Sequence, residues 1–510
     1  TYSIVDRDYK IENRALLSQP VTQGTIFLFK LINAFFSHIN TYTIGQPTRA
    51  RAADVSYMSS RRPSFSLAEL AAGQTSLKKV KKKKKRDRSA PALAKSAEDA
   101  AERAAEEATR LKYFFDTGLD RVIEALGEEL TFPTESLPIL REEAAFIVHF
   151  WWTNCHNDAA REAREATGVQ VELPDELGAL AERIDASMQE RGWGSGSGAF
   201  VKLSTRSPKD STLAFDTAAA LYKERLRAQV AATAGKDVTL NQRLRLLCES
   251  MGASLKVESG AEAVLHMLHS ERVWEDLTYA LSSKVADEVV LGDAEASLLL
   301  ETALGESAFT AAKDECAFAA RVCIVVRGWC DLPLWSEFRG FVWGGNLTAV
   351  AQYFHPVHFP ELAAPATQLA ITHDLSTFFE TKLRGKIPLD HYIVDFVWKP
   401  DGTALLVEVN PFDGVLGSFA ASTGLFSWDD DRAILTGEAA EKTAAQAAAR
   451  LRAIAASSVT PPDFVVEKLM HQPPLILRIR EEVKAEAYVK NELRPEWRDV
   501  LYQQGKHRKL

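Results

Sequence analysis

The pattern of apolar and polar residues in HYIVDFVWKPDGTALLVEVNPF, residues 391–412, predicts a β-hairpin. Two strongly apolar runs flank Pro400, Asp401 and Gly402, which favour a turn because proline fixes φ and glycine allows positive φ. Side chains alternate between the two faces of a strand, so the polar residues within each run fall on one face. The hairpin is therefore expected to carry a polar face inside otherwise apolar strands.

Two carboxylates are predicted to face each other in this hairpin. With a loop over 400–403, Asp395 lies opposite Glu408, and Asn410 lies diagonal to Asp395. Leu406 is expected on the same face as Glu408. Like charges directly opposite each other are destabilising, and a divalent cation such as Mg²⁺ would reverse that penalty. We interpret the pair as a metal site; the alternative is a solvated acidic face.

The remaining patterns predict helices and strands in no regular βαβ order. Strands are expected where short apolar runs are bounded by turn formers, and helices where apolar residues recur with a period near 3.6. The expected strands are 199–203, 321–326, a hairpin over 337–354 turning at 344–346, and 475–480. Helices are expected over 96–140, 174–191, an insertion over about 213–315, and 436–456. The order predicts an α+β fold with mixed or antiparallel sheets, a main domain over 141–430 and a helical extension over 431–510.

Composition places the chain among ordinary soluble proteins. Its 510 residues are 46% hydrophobic and 25% charged, with a net charge of −8. That balance disfavours general nucleic-acid binding. No apolar run reaches the roughly 20 residues needed to span a bilayer. The five cysteines form no CxxC pair, which indicates a reducing compartment and a cytoplasmic location. The absence of HExxH, GxSxG and GxGxxG motifs leaves metalloprotease, α/β-hydrolase and Rossmann functions without support.

Residues 1–95 have the composition of a disordered, low-complexity region. Residues 46–95 in particular are rich in Arg, Ser, Ala and Lys and show no steady hydrophobic period. Within them, KKVKKKKKRDR, residues 78–88, is a block of like charge. We interpret this block as a solvated tail; nuclear localisation or RNA contact is the alternative.

Several cations could accompany the carboxylates of the hairpin. Lys202 lies inside the apolar strand AFVKL, where a charge needs a partner; alternatively, it reaches the surface from an edge strand. The glycine-rich segment 192–198 could cradle phosphates but lacks the end of a P-loop, so we interpret it as a linker. Arg327 and Arg339 are further candidates, and Arg339 shares a strand face with Glu337. For both arginines the alternative is a surface ion pair.

Five segments, taken in order, resemble the signature blocks of the cell division cycle protein 123 family. They are VKLSTRSPKD (201–210), VVRGWCDLPLWSEFRGFV (325–342), LTAVAQY (347–353), YIVDFVWKPDGTALLVEVNPF (392–412) and LFSW (425–428). The resemblance covers about residues 144–430 and implies an ATP-grasp fold. It also implies a role in assembling the heterotrimeric translation initiation factor 2.

The resemblance further implies a site for ATP and Mg²⁺. Carried over by position, the implied nucleotide-binding residues are Lys202, Ser204, Arg327, Gly328, Trp329, Cys330, Glu337 and Arg339, of which Arg327–Cys330 would lie along the adenine. The implied Mg²⁺ ligands are Asp395, Glu408 and Asn410, in agreement with the face argument above.

This chain departs from the family pattern at several positions. Glu408 stands where the family usually has Asp, Ser204 where it has Asn, and Tyr353 where it has an arginine. The acidic insertion typical of the family before the lysine strand is missing. These departures bear on nucleotide affinity and partner identity more than on the fold.

Three functions are compatible with these observations. The first is an ATP·Mg²⁺-binding assembly factor without required turnover, whose expected partner is a subunit of translation initiation factor 2, with the gamma subunit favoured. No direct nucleic-acid or membrane contact is expected. The second is an ATP-dependent carboxylate–amine ligase, in which the cations would stabilise phosphoryl transfer. The third is a scaffold that kept the fold and lost the nucleotide.

Overall fold

A computed structural model describes most of the chain between residues 106 and 502. The described residues are 106, 108–156, 172–194, 196–233, 237–282, 315, 318–412, 424–439, 449, 475–480, 485–491 and 493–502. Contacts divide the chain into units 1–88 and 89–510, and all described residues belong to the second.

Nine strands and eleven α-helices have both ends within these ranges. The strands are β1 Thr134–Leu137, β2 Ala199–Leu203, β3 Lys256–Val257, β4 Ile324–Gly328, β5 Glu337–Trp343, β6 Asn346–Gln352, β7 Tyr392–Trp398, β8 Ala404–Pro411 and β9 Ile476–Arg478. The helices are α1 Leu119–Leu126, α2 Arg141–Asn154, α3 Gly178–Glu190, α4 Thr212–Ala232, α5 Leu240–Ala253, α6 Gly260–Leu268, α7 Glu271–Ser282, α8 Pro365–Phe378, α9 Trp428–Leu435, α10 Ala485–Asn491 and α11 Pro495–Tyr502.

The smaller sheet is antiparallel, with strand order β1-β4-β2-β3. One face packs on helices α2, α3, α6 and α7, and Ala199, Val201 and Leu203 of β2 belong to that core. Because side chains alternate, Lys202 of β2 lies on the opposite face, as does Arg327 of β4. The smaller sheet thus presents two cations away from its core.

The larger sheet has strand order β8-β7-β5-β6-β9, antiparallel except for the parallel pair β6 and β9. One face packs on α4, α5, α8 and the C-terminal helices. The other face bears the polar residues of β5, β7 and β8, and beyond them a small aromatic core around Phe341, Phe412 and Phe426. Strands β5 and β6 are joined at Gly344 and Gly345, with φ values of 57° and 71°, as the predicted turn requires.

The hairpin of β7 and β8 confirms the opposition of Asp395 and Glu408. A β-bulge at Val407 was not predicted. Asp395 pairs with Glu408 and the following residue, Phe396, pairs with Leu406, so Val407 has no partner in β7. The extra residue reverses the alternation, so the expectation that Leu406 shares a face with Glu408 is wrong. Leu406 is buried instead in the helix-covered core.

Three features differ from the sequence-based expectations. The region 96–140, expected to be helical, contains β1, which pairs with β4 in the smaller sheet. The strand expected at 321–326 begins at Ile324 and ends at Gly328, because its extent follows its pairing with β1 and β2. The C-terminal strand, expected in a separate extension, is β9, which joins the larger sheet beside β6.

Other expectations are confirmed or lie outside the described residues. The structure has the α+β class, and a 3₁₀ turn at Asp175–Leu177 with helix α3 occupies the region predicted as helical over 174–191. Residues 1–95 lie outside the described residues, as does nearly all of the helix predicted over 436–456. Among the described helices, none is both long enough and apolar enough to cross a membrane.

Candidate functional site

Lys202 and Glu408 connect the two sheets. The Nζ of Lys202 donates to Oε2 of Glu408 across 2.6 Å, and the Lys202 side chain is only 1% exposed. Burial lowers the pKa of Lys202, and Glu408 opposes that shift. Burial alone would raise the pKa of Glu408, but Lys202 outweighs it and holds that pKa below its ordinary value. The two side chains therefore form an ion pair in which the lysine is buried and the carboxylate is partly exposed.

Arg339 and Asp395 form a second ion pair on neighbouring strands. They are cross-strand partners in β5 and β7, and Arg339 donates from Nε to Oδ1 across 2.8 Å and from Nη2 to Oδ2 across 2.7 Å. This two-pronged geometry is the strongest arrangement of an arginine and a carboxylate. Although burial opposes it, Asp395 raises the pKa of Arg339 above its ordinary range.

Glu337 is a third carboxylate beside these pairs. Burial and the neighbouring charge of Asp395 raise its pKa to about 8, with Lys209 and Arg339 acting in the opposite direction. At neutral pH this side chain is consequently mostly protonated. Three acids can lie together here because two are paired with cations and one is neutral.

Asn410 joins the two paired carboxylates. Its Nδ2 lies 3.4 Å from Oδ2 of Asp395 and 3.4 Å from Oε1 of Glu408. The sequence-predicted residues Lys202, Glu337, Arg339, Asp395, Glu408 and Asn410 are thus brought together, and we call this group the charged site. Within the described ranges, no three His, Cys, Asp or Glu side chains are arranged to hold a metal ion. The predicted Mg²⁺ ligands, Asp395, Glu408 and Asn410, are not such a group, because one of the three is an amide.

Arg327 lies beside the charged site and braces the two sheets. It donates from Nη1 to the carbonyl oxygen of Val407 across 2.7 Å, and from Nη2 and Nε to the hydroxyls of Thr131 and Thr134 across 2.7 Å and 3.1 Å. The bulge of β8 turns this carbonyl toward the arginine. Burial lowers the pKa of Arg327 to about 10, and Glu408 acts against this shift. Its described hydrogen bonds are therefore all structural.

The segment expected to lie along the adenine, Arg327–Cys330, begins two residues after the β4 residue that pairs with Lys202. Lys202 pairs with Val325, whereas Gly328 pairs with Ala199 at the start of β2. The amide of Trp329 donates to the carbonyl of Gly198 across 3.1 Å, and Cys330 is exposed. The glycine-rich segment, interpreted as a linker, is thus hydrogen-bonded to this strand end.

Gly328 is a point of close approach. A Cβ at this position would lie 2.6 Å from Nε1 of Trp193. The indole of Trp193 therefore covers the strand end where the adenine was expected. Trp193 was not predicted as a site residue, although it lies within the glycine-rich segment.

Ser204 makes structural contacts at the end of β2. Its hydroxyl accepts from the amide of Cys323 across 3.3 Å. Its carbonyl accepts from the amide of Leu119, at the start of α1, across 2.9 Å. These contacts anchor the chain immediately after Lys202, and none of them is to a residue of the charged site.

Lys209 and Tyr353 flank the charged site and were not predicted as binding residues. The Nζ of Lys209 lies 3.1 Å from the Tyr353 hydroxyl, and the Arg339 guanidinium lies 4.9 Å from the Tyr353 ring centroid. Lys209 opposes the raised pKa of Glu337 and Asp395. The available signal was the Pro208-Lys209 turn directly after the lysine strand.

The residue types of the charged site suit a metal–phosphate ligand. Carboxylate and amide oxygens are ligands that Mg²⁺ accepts, with phosphates and waters completing its shell. Lysine and arginine are the usual partners of phosphate oxygens. Asp395, Glu408 and Asn410 would hold the metal, and Lys202 and Arg339 would contact the phosphates.

The two sheets and the charged site define an α+β protein with a cluster of charged side chains where its sheets meet. A sequence model of the D123 family matches residues 250–473. This match covers less than half of the chain and agrees with the resemblance to the cell division cycle protein 123 family noted from the sequence. The matched region contains Arg339, Asp395 and Glu408; Lys202 precedes it.

Curated relatives match a limited part of the chain. A Xenopus tropicalis protein named "Translation initiation factor eIF2 assembly protein" is 28% identical over 109 residues, which are 21% of this chain and 30% of that protein. A Danio rerio protein of the same name is 26% identical over 107 residues, 21% of this chain and 29% of that protein. The chain thus spans about 30% of the length of the curated relatives that it matches.

Two solved structures of Cdc123 from Schizosaccharomyces pombe are also similar. The C-terminally truncated form is 16% identical, with a TM-score of 0.38, covering 64% of this chain and 92% of that one. The second is 18% identical, with a TM-score of 0.36, covering 63% and 92%. These scores are too low to establish a shared fold.

Proposed function

We propose that this chain is an ATP·Mg²⁺-binding assembly factor for translation initiation factor 2, built on an ATP-grasp fold. The match to the D123 family model and the names of the curated relatives support the assembly role. The gamma subunit is the partner that we propose. Nucleotide binding would stabilise the conformation that holds this subunit, and no turnover is required.

The observation that carries the nucleotide proposal is the approach of Lys202 to Glu408 across 2.6 Å. A buried lysine from one sheet and a carboxylate from the other meet beside a second such pair, Arg339 and Asp395. Taking four charged groups out of water is costly. Ligands with the opposite charges, a polyphosphate for the cations and Mg²⁺ for the carboxylates, would give each group an alternative partner.

A nucleotide titration tests this proposal. Isothermal calorimetry on the full chain, with ATP in the presence and absence of Mg²⁺, should show binding that Mg²⁺ strengthens. Lys202→Ala and Asp395→Ala should each abolish it. Lys382→Ala is a control for the loss of a lysine charge, because Lys382 is exposed and is not part of the charged site. Absence of ATP binding with and without Mg²⁺ would refute the nucleotide proposal.

The partner is tested separately. Purified alpha, beta and gamma subunits of translation initiation factor 2 are each offered to the immobilised chain, with and without ATP·Mg²⁺. We expect retention of gamma alone, strengthened by the nucleotide. Retention of none of the three would refute the assembly role. Release of ADP in the same incubation would instead support the ligase considered from the sequence.

A nucleotide-free scaffold is a second candidate, and the pairing of charges favours it. Lys202 neutralises Glu408, and Arg339 neutralises Asp395, through short hydrogen bonds within the protein. Such a protein would retain the gamma subunit equally well with and without ATP and would show no heat of nucleotide binding.

A further inference from the structure

Lys209 is the exposed cation of this region. Lys202 and Arg339 are each committed to a carboxylate by hydrogen bonds of 2.8 Å or less. Within the described part of the chain, Lys209 forms no salt bridge, and its side chain is exposed. It can therefore contact an arriving anion without first leaving an acidic partner.

The backbone around Lys209 is fixed on both sides. Before it, Arg206 donates from Nε to Oδ1 of the fully buried Asp276 on α7 across 2.8 Å. After it, Asp210 accepts from the amide of Arg272 across 3.0 Å. The lysine thus projects from a rigid turn, which reduces the entropy lost when its side chain binds.

Tyr353 determines where the Lys209 ammonium group lies. The Tyr353 hydroxyl is 3.1 Å from Nζ, and the Nζ is 5.8 Å from the ring centroid. The amide of Tyr353 donates to the carbonyl of Glu337 across 2.9 Å, which ties the tyrosine to strand β5 beside Arg339. The ring therefore contacts two cations, one buried and one exposed.

The position of Lys209 is also electrostatically close to the charged site. Its charge acts to lower the pKa of all three carboxylates, Glu337, Asp395 and Glu408. A cation near all three is also near any metal held by two of them. The phosphates of a metal-bound nucleotide would lie at the same place.

We infer that Lys209, held by Tyr353, binds the terminal phosphates of the nucleotide and so selects triphosphates over monophosphates. The inference rests on the nucleotide binding proposed above and specifies which residue distinguishes nucleotides by the number of their phosphates. A nucleoside monophosphate keeps its contacts to the buried residues and makes none to Lys209. Tyr353 acts as a positioning residue.

The test compares ATP, ADP and AMP by calorimetry at constant Mg²⁺ on the full chain. Lys209→Ala should weaken ATP binding about tenfold, the value of one charge-assisted hydrogen bond, and leave AMP within about twofold. Lys209→Arg should restore most of the ATP affinity, because the charge is kept. Tyr353→Phe should reduce the ratio of ATP to AMP affinity in the same direction but by less. Lys382→Ala should change the affinity for neither ATP nor AMP.

The outcomes separate this inference from the proposed function. If the unsubstituted chain binds ATP and Lys209→Ala binds it equally well, the inference is overturned and the proposed function stands. An equal loss of ATP and AMP affinity in Lys209→Ala would also overturn it, because the lysine would then support the site as a whole. If the unsubstituted chain binds no nucleotide, both are overturned.

Discussion

The Nζ of Lys202 lies 2.6 Å from Oε2 of Glu408, although 206 positions of the chain separate the two residues. Lys202 comes from the smaller sheet and Glu408 from the edge strand of the larger one. The pair therefore joins the sheets and also neutralises a carboxylate of the charged site. Its effect on stability and its effect on binding can be measured separately.

Lys202→Met should destabilise the nucleotide-free protein by about 3 kcal/mol, because removal of one partner leaves a buried charge without compensation. The double variant Lys202→Met with Glu408→Leu should recover most of that loss. Urea unfolding followed by circular dichroism measures both. A double variant as unstable as the single one would show that the ion pair contributes little and that packing of the lysine stem matters more.

Arg327→Lys should destabilise the fold even though the charge is kept. A lysine cannot reproduce the three-way contact to Val407, Thr131 and Thr134, because its ammonium group lacks the planar fork of arginine. We expect a loss of about 2 kcal/mol in the free energy of unfolding. Thr131→Val removes one acceptor of the same network and should cost about 1 kcal/mol. Unchanged stability in Arg327→Lys would contradict the bracing role.

Glu337 should make stability depend on pH. The folded chain holds its proton up to about pH 8, whereas the ordinary carboxyl pKa is 4.5. Between these values the folded state binds the extra proton, so the free energy of unfolding should fall as pH rises through this window. Glu337→Gln keeps the neutral form at every pH. Urea midpoints measured from pH 5 to 9 should therefore fall less in the variant; parallel curves would mean that Glu337 is ionised when folded.

Gly260→Ala should destabilise the packing of α6 on α3. A Cβ at this position would lie 2.0 Å from the carbonyl oxygen of Ala181, a backbone atom that cannot move alone. Overpacking of this kind costs about 1–3 kcal/mol. The matched control is Gly252→Ala in α5, where a Cβ would meet nothing within 4 Å. This substitution should raise the free energy of unfolding by about 0.5–1 kcal/mol, because glycine is unfavourable inside a helix. Thermal unfolding of both variants measures the contrast.

Features fixed by local sequence were predictable. The hairpin of β7 and β8 and the glycine turn at Gly344 follow from alternation and turn chemistry within about twenty residues. The opposition of Asp395 and Glu408 was predicted with a four-residue loop and no bulge. In the structure Trp398 pairs with Ala404, so the loop over 399–403 is longer by one residue, and the bulge restores the register.

Features set by distant partners were not predictable. The carbonyl of the bulge residue Val407 accepts a hydrogen bond from Arg327, which lies on another sheet, and no local signal marks the bulge. The contacts of Arg327 to Thr131 and Thr134 likewise required the structure, and its place at the nucleotide stays a prediction. Lys209 was overlooked because its role depends on Tyr353, which lies 144 positions away. The polar residues of the charged site could be predicted from the strand faces on which they lie. Their hydrogen-bond partners could not, because these depend on how the two sheets pack together.

The long sequence separation within the charged site has a consequence for folding. Contacts between distant segments close large loops and form slowly. Strand β4 must also enter between β1 and β2, both of which precede it by more than a hundred residues. The site is therefore complete only after both sheets have formed. A ligand that binds there would bind fully folded molecules more tightly than partly folded ones, so nascent chains would compete poorly for it.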